Sequence, residues 1–469
     1  MFLNKQKIYL VIFLGFFISL ITSSNYLNSY DKYSSKYNSH LMIKESIGGD
    51  WNKAQEIKEK KNLSWFNSVD YYKPYLPSRI IYFYYKINGN DIFDENGRLF
   101  TEDKDKKSFI LYFQTCLYFF LLLLLTKKLN QLNFDVKLIF FWIFFLSLDP
   151  TINQFHSSFF NESLFFSLQL LILIFFFKKD KKFIDYILIW FFFGILGLQK
   201  SVGIFYIIIF LIYLIFSKKK YFLKFCVVAF IPYLIIYFLI GYGNYERTKS
   251  FFFNPMQTKE AIFVYLLPRI YESKYKLENI NFKDKIINET NLWIKKNNLN
   301  GKLQQNLYLD KDNISEIEWI KIHNYQQRKT FDVVKNNLFI TSKILIPKYF
   351  HSLLLNPVEI KFFYKYKNLD EYYKSNDHQY FIKYRIIYSF IFYSFSLLGL
   401  IILLKHKKFD LKIFFLLASA FYFYLILGWM GLTRYFVPTL IYISFFFSMG
   451  LSHLLNKTIR AVKLFKVNS

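Results

Sequence analysis

An apolar run of membrane-spanning length begins with an unusual set of ionisable and amide side chains. Residues 149–177 read DPTINQFHSSFFNESLFFSLQLLILIFFF and carry Asp149, His156, Asn161 and Glu162 at their leading edge. An acid inside a membrane span costs roughly 2.5–3.5 kcal/mol on insertion scales, so it is a candidate functional residue by default. The structural alternative is that Glu162 lies in a first helical turn, where the positive end of the helix dipole stabilises an acid.

Two isolated cations stand at the ends of other apolar runs. Lys200 lies in LGLQKSVG, a hairpin so short that Gln199 is its only expected polar neighbour, and Arg434 lies in GWMGLTRYFVP. A positioned cation can hold a phosphate, and a nearby carboxylate can accept a proton from a nucleophile. The alternatives are a lysine that extends along apolar surface toward water, and an arginine that anchors a span at the membrane interface together with Tyr435.

A third candidate acid precedes these runs. Asp50, in IGGDWNKAQ, follows two glycines and opens a predicted helix, so it is either a functional carboxylate or a helix N-cap.

The composition predicts how these residues are positioned. Of the 469 residues 54% are hydrophobic, and apolar runs of at least about 17 residues recur, which is typical of an all-α polytopic membrane protein rather than a barrel. The formal net charge is +28, but the lysines cluster between apolar runs, as in cytoplasmic membrane loops. The chain also lacks nucleic-acid-binding motifs, so nucleic acid is excluded as a partner.

About ten membrane spans are expected. They cover 8–23, 109–126, 136–149, 158–177, 183–199, 201–217, 221–241, 382–404, 411–430 and 434–455. With the N-terminus inside, lysine clusters occupy the inner connections, whereas the short outer connections hold only Lys200 and Arg434. This predicts cytoplasmic termini in a bacterial-type plasma (inner) membrane, with the candidate site on the outer face.

The spans divide the chain into three parts. Residues 1–241 form the core of the first seven spans, including a long outer loop, 25–108, whose Tyr- and Pro-rich stretch 71–87 suits interfacial helices. Residues 242–381 are a mainly helical outer segment, in which 331–355 reads as one amphipathic helix that Pro347 could break. Residues 382–469 carry the last three spans and a basic cytoplasmic tail.

Nucleotide and zinc-protease motifs are missing from the sequence. It has no Walker loop, Gly-rich dinucleotide fingerprint, G-x-S-x-G or H-E-x-x-H, and Cys116 and Cys226 both lie in apolar runs. No metal ligands are therefore assigned and no cofactor is required, although a divalent metal stays an open alternative.

Four pieces of sequence, in order along the chain, together carry a resemblance. They are Asp50 with the later Tyr72, Pro74 and Pro77; Pro150 with Asn161-Glu162-Ser163-Leu164; the hairpin 194–203, GILGLQKSVG; and Arg434-Tyr435-Phe436-Val437-Pro438. Over 1–241 and about 331–455 the chain resembles the GT-C membrane glycosyltransferases. Within them it is most similar to the branch of protein mannosyltransferases, aminoarabinose transferases and RgtA/B/C/D-like enzymes. The family's hairpin arginine is Lys200 here, and the acid often found beside the loop aspartate is Trp51.

The resemblance implies a hexosyl- or pentosyltransferase. Such an enzyme moves a sugar, usually with inversion, from a polyprenyl-phosphate donor to a glycan, lipid or protein acceptor on the outer face. Asp50 would be the general base, Glu162 would orient donor or acceptor, and Lys200 and Arg434 would bind the donor phosphate. Residues that would position donor or acceptor are Asp149, His156, Asn161, Tyr72 and Arg79.

Two other functions fit parts of the pattern. An O-antigen polymerase or ligase would use arginines of a late outer loop, where Arg247, Arg269 and Arg328 lie. A lipid or saccharide transporter would show internal repeats and interrupted spans, whereas these spans are mostly unbroken and the polar residues gather at one face.

Overall fold

The structure is a computed structural model that describes twelve stretches of the chain. They are residues 5–34, 76–80, 83, 104–156, 161–217, 222–253, 256–275, 282–310, 314–355, 374–405, 410–427 and 433–467. Within them the chain is α-helix or helix-joining turn, apart from one antiparallel bridge between Leu303 and Leu309. The predicted all-α class is therefore confirmed.

The helices fall into three groups along the chain. The first group is α1 Lys5–Ser34, α2 Lys104–Gln131, α3 Val136–Leu148, α4 Pro150–His156, α5 Asn161–Phe176, α6 Phe183–Gln199, a 3₁₀ turn Ser201–Gly203, α7 Ile207–Phe216 and α8 Phe222–Thr248. The second is α9 Met256–Tyr265, α10 Leu267–Tyr275, α11 Phe282–Lys296, α12 Glu316–Asn336 and α13 Leu338–Leu353. The third is α14 Asn376–Lys405, α15 Leu411–Leu427 and α16 Thr433–Val467.

Length and composition identify an integral membrane protein. In the described part of the chain, 4 helical segments are long and apolar enough to cross a bilayer: Lys5–Ser24, Leu111–Gln131, Asn376–Lys405 and Phe436–Asn456. Five further apolar helices have 10–17 residues. At 1.5 Å per residue these are shorter than the roughly 30 Å hydrocarbon core. The count of about ten spans therefore stays a prediction.

Helix starts follow local capping chemistry. At α3 the Asp135 side chain accepts a hydrogen bond from the backbone N–H of Lys137, at 2.9 Å. At α12 Ser315 and Glu318 form a reciprocal capping box. Both arrangements satisfy backbone donors that the first helical turn leaves unpaired.

One large apolar core joins the helices of the first and third groups. It is rich in fully buried aromatic side chains, among them Trp142, Trp190, Tyr206 and Tyr442. Helices α14 and α16 approach closely where Gly399 and Gly450 face each other. A Cβ at Gly399 would lie only 2.0 Å from the carbonyl oxygen of Phe446. Small residues permit this kind of contact between membrane helices.

The second group has a small core of its own. Phe263, Leu267, Ile286, Ile294 and Ile322 are buried together with leucines from the turn that carries the Leu303–Leu309 bridge. The described part of 242–381 is mainly helical, as predicted. The expected single helix over 331–355 is wrong, because α12 ends at Asn336 and α13 runs unbroken through Pro347.

Candidate functional site

A buried ion pair joins two of the predicted site residues. Lys200 Nζ donates to Glu162 Oε1 at 2.7 Å. The Glu162 side chain is 0% exposed and that of Lys200 is 15% exposed, so the cation is the member nearer the surface. The expectation that Gln199 is the only polar neighbour of Lys200 is wrong. Lys200 pairs with a carboxylate 38 residues away, which the short hairpin alone could not reveal.

Helix ends bring the two residues together. Glu162 is in the first turn of α5, and Lys200 immediately follows the last residue of α6. The two helices pack against each other, so the beginning of one and the end of the other meet at the same end of the bundle. We call this end, defined by Glu162, Lys200 and Asp149, the Glu162 end.

The α6 hairpin is held in place by close contact with α8. A Cβ at Gly197 would lie 1.8 Å from the Tyr237 hydroxyl, and that hydroxyl donates to the Gly194 carbonyl at 3.2 Å. The Tyr233 hydroxyl donates to the Ile204 carbonyl at 2.6 Å. Gly197 thus leaves room for Tyr237. The two tyrosine hydroxyls bind the hairpin backbone on either side of Lys200 and so fix the position of its backbone.

Asp149 lies at the same end, buried after the last turn of α3. Its Oδ1 accepts the backbone N–H of Ile152 at 3.0 Å, and its Oδ2 accepts a hydrogen bond from the Tyr388 hydroxyl of α14. The carboxylate therefore ties α3 and α4 to a helix of the third group. The nearby Asn153 side chain accepts from Ser19 of α1 at 3.0 Å and donates to the Ser147 carbonyl at 2.9 Å.

His156 is fully buried at the end of α4. Its Nδ1 shares a 2.8 Å hydrogen bond with Ser163 Oγ, the residue after Glu162. Its ring stacks on Tyr118, with centroids 3.7 Å apart, and among the described residues its Nε2 has no hydrogen-bond partner. Gln114 and Thr115 of α2 donate to its carbonyl oxygen at 2.9 and 3.0 Å.

The backbone of Arg434 lies near this end as well. Arg434 is in the first turn of α16, four residues before Pro438, whose carbonyl accepts from Gln169 of α5 at 3.2 Å. Both helices start at the Glu162 end. On α16, Arg434 lies about one helical turn nearer to the Glu162 end than Pro438 does. On α5, Glu162 lies seven residues before Gln169, the residue that contacts Pro438. The side chains of Arg434 and Asn161 lie outside the described part of the structure.

The first-loop candidates are only partly described. Arg79 is 1% exposed within the helical stretch 76–80, and its Nη1 donates to Ser78 Oγ at 3.0 Å. Leu76 of the same stretch packs against the main core. Asp50 and Tyr72 lie outside the described residues, so their assignments stay predictions.

Sequence reasoning missed several partners at this end. Tyr388, Tyr118 and Gln114 each lie within long apolar helices. With 39 tyrosines in the chain, no single tyrosine in such a run stands out. Ser163 carried a signal, because it lies inside the Asn161-Glu162-Ser163-Leu164 motif, but its bond to His156 depends on the fold of α4.

The described residues show no group of three or more His, Cys, Asp or Glu side chains that could hold a metal ion. The Glu162 end holds an ammonium paired with a buried carboxylate, and adjacent helix ends hold a second buried carboxylate and a buried imidazole. An ammonium held in place in this way is the type of group that binds a phosphate.

No protein-family model, curated protein or solved structure matches this chain.

Proposed function

We propose that the chain is a membrane glycosyltransferase of the GT-C kind, which moves a hexose or pentose from a polyprenyl-phosphate donor to an acceptor. The observation that supports this most is the Glu162–Lys200 pair, in which a buried acid presents a cation at one end of an apolar bundle. Taking two charges out of water costs several kcal/mol per ion, and their mutual attraction offsets this only in good geometry. The cost of burying this pair supports a functional role for Lys200, which we propose is to bind the donor phosphate.

The proposed step is a single displacement at the anomeric carbon. The acceptor hydroxyl loses its proton to the Asp50 carboxylate, and its oxygen forms a bond to C1 of the sugar. The C1–O bond to phosphate breaks, and its electron pair leaves with the polyprenyl phosphate. The configuration at C1 inverts.

Lys200 would act on the leaving group in this proposal. The phosphate gains negative charge as the C1–O bond breaks, and a fixed ammonium stabilises that charge most strongly where water is excluded. Glu162 would position the ammonium rather than touch the sugar. Arg434, at the start of α16, would supply a second, bidentate contact to the phosphate.

The other polar groups would position the acceptor side. Asp149 and His156 hold α4 against α14 and α5 through bonds to Tyr388 and Ser163, and so would shape the wall next to Lys200. Tyr72, Asn161 and Arg79 keep their assigned positioning roles. The site would open away from the cytoplasm of a bacterial-type inner membrane, with both termini inside, because the lysine clusters favour that orientation.

Transfer activity is testable with purified protein in liposomes. Polyprenyl-phosphate hexoses and pentoses are supplied with a glycan, lipid or protein acceptor mixture, and release of polyprenyl phosphate is measured. For wild type we expect release that depends on the acceptor. For Lys200→Met we expect a loss in turnover of about 10²–10³-fold, as for removal of one donor to a developing oxyanion. Lys200→Arg should retain more activity than Lys200→Met.

Two further variants accompany this test, and turnover is compared at equal amounts of folded protein. Lys249→Met removes an exposed lysine that follows α8 and lies over the Tyr245 ring, 6.0 Å from its centroid, and it should leave turnover unchanged. Asp50→Asn tests the base separately from the phosphate site. A folded wild type that uses none of the donors would overturn the proposal, as would a Lys200→Met variant with normal turnover. Full turnover by Asp50→Asn would overturn the base assignment alone.

A further inference from the structure

Helix α13 exposes an apolar face, whereas the exposed face of a helix in water is usually polar. Phe339 is 82% exposed, Phe350 is 67% exposed, and Ile346 between them is more than half exposed. Their spacing of seven and four residues places all three on one side of the helix. Soluble surfaces scatter large apolar residues singly, whereas a continuous apolar stripe marks a site of contact.

The opposite side of α13 is held by the protein. Thr341, Lys348 and Ser352 of α13 are buried, and the helix packs against α10, α12 and α16. The exposed stripe is therefore a fixed surface of the folded chain. It is not a helix that lies loose and could turn its apolar side inward.

The C-terminal end of α13 is attached to the membrane bundle. The Tyr349 hydroxyl donates to the Leu425 carbonyl of α15 at 2.7 Å, and the Tyr393 hydroxyl of α14 donates to the Leu353 carbonyl at 2.8 Å. Arg385 of α14 donates to the carbonyls of Leu354 and Leu355, each at 3.3 Å. These bonds fix α13 at one end of the bundle, beside helices α14 and α15.

The stripe continues an apolar surface that the bundle exposes. Leu425, whose carbonyl accepts from the Tyr349 hydroxyl, and Phe421 one turn before it are both more than half exposed on α15. Phe350 directly follows Tyr349, so the α13 stripe begins where the exposed apolar surface of α15 ends. If α15 spans the membrane, as predicted, this surface faces lipid.

One charged residue lies within the stripe. Lys343 is exposed and stands four residues after Phe339 and three before Ile346, on the same side of the helix. No acid occurs anywhere in α13. A lysine among apolar residues suits a helix at the acyl boundary, since its long side chain can reach up to a headgroup phosphate.

We infer that α13 lies in the plane of the membrane interface at this end of the bundle. Phe339, Ile346 and Phe350 are inserted at the headgroup–acyl boundary, and Lys343 reaches the phosphate of an anionic lipid. The helix thereby anchors the small helical unit α9–α12 to the membrane beside the site. This inference does not depend on the proposed sugar transfer, because it rests on α13 and its contacts with α14 and α15.

Spin labels on α13 test its depth in the membrane. Cys116 and Cys226 are replaced by Ala, and single labels are attached in the full-length chain at Phe339→Cys, Ile346→Cys or Phe350→Cys. Lys296→Cys, on an exposed residue of α11, serves as the control position. In liposomes of phosphatidylcholine and phosphatidylglycerol, collisions with oxygen and with a water-soluble nickel chelate give the depth of each label.

The three stripe labels should collide preferentially with oxygen and report a depth of about 5–10 Å below the headgroups. The Lys296 label should collide preferentially with nickel. Stripe labels as open to nickel as the control would overturn the inference. So would dipolar broadening between labels on two chains, because it would show that a second copy covers the stripe.

Lipid charge gives a second, independent readout. Lys343→Glu should make the Phe350 label shallower in vesicles that contain phosphatidylglycerol and change its depth much less in pure phosphatidylcholine. An equal effect of Lys343→Glu in both kinds of vesicle would contradict the anionic-lipid contact.

Discussion

At the scale of single residues, Glu162 is the most buried acid among the described ion pairs, at 0% exposure. Removing one partner of a buried ion pair leaves an uncompensated charge, whereas replacing both partners is often nearly neutral. Glu162 is 0% exposed, so it is the partner whose isolation would be more unfavourable.

A double-variant cycle measures this coupling. Lys200→Gln, which removes the lysine partner of the buried Glu162 carboxylate, should destabilise the fold by about 3–5 kcal/mol. Glu162→Gln should destabilise it less, because Lys200 can reach water. The double variant should recover most of the loss in thermal unfolding in detergent. Strictly additive effects would show that the two residues do not interact.

The Tyr388–Asp149 bond makes a second prediction at this scale. Tyr388→Phe removes one of the donors to a buried carboxylate, which should destabilise the fold by about 1–3 kcal/mol. Tyr384 lies one turn earlier on α14, stacks on Tyr388 and is about half exposed, so Tyr384→Phe is the matched control. Equal melting temperatures for the two variants would argue against the bond.

The sequence indicated which single residues are unusual, but it did not indicate which of them contact each other. Glu162 and Lys200 were each apparent because a charge at the edge of an apolar run is conspicuous. Their pairing was not apparent, since it depends on how α5 packs against α6. The sequence drew attention to Asp149 but not to its Tyr388 partner, which is one of many tyrosines in apolar helices.

At the scale of elements, apolar periodicity predicted helix positions closely. The expected run 183–199 is helix α6 with the same bounds, and the run 411–430 is α15, Leu411–Leu427. Where the prediction failed, at 331–355, the break falls at Asn337 and not at Pro347. Helix α13 continues through Pro347. Its continuation depends on tertiary contacts, which the apolar periodicity of the sequence does not reveal.

Gly197 gives a prediction for the α6–α8 contact. Gly197→Ala would place a Cβ against the Tyr237 hydroxyl, and overpacking of this kind destabilises by about 1–3 kcal/mol. Because the clash is with that oxygen, Tyr237→Phe in the Gly197→Ala background should restore part of the stability. If the second substitution instead worsened the loss measured by thermal unfolding, the contact would be wrong.

Lys348 of α13 gives a prediction for pH. Burial, and secondly the charge of Arg269, lower the pKa of Lys348 to about 8, compared with about 10.4 in an unfolded chain. Between these values the unfolded state binds the extra proton, so stability should rise with pH from about 8 to 10.

The comparison with Lys348→Met isolates this contribution. In neutral detergent, the melting temperature of wild type minus that of the variant should increase as the pH rises from about 8 to 10. A difference between the two melting temperatures that stays constant from pH 7 to 10 would contradict the shift. Taking the difference removes the contributions that the two chains share.

At the scale of the whole molecule, the described chain is an apolar helical bundle in which Glu162, Lys200 and Asp149 lie at one end. The order of acids and cations in the sequence predicted that these three residues share one side of the membrane. The small core of α9–α12 was not predicted, because its apolar residues are spread thinly over a charged segment. The lysine clusters predict which end faces the cytoplasm, and this orientation is the central claim of the proposed function.

Cysteine labelling in intact bacterial cells tests that claim most directly. With Cys116 and Cys226 replaced by Ala, Ser201→Cys marks the turn after Lys200, and Ser217→Cys marks the opposite end of α7. A membrane-impermeant maleimide should modify Ser201→Cys in whole cells and Ser217→Cys only after permeabilisation. The reverse pattern would place the Glu162–Lys200 pair on the cytoplasmic side and contradict the account.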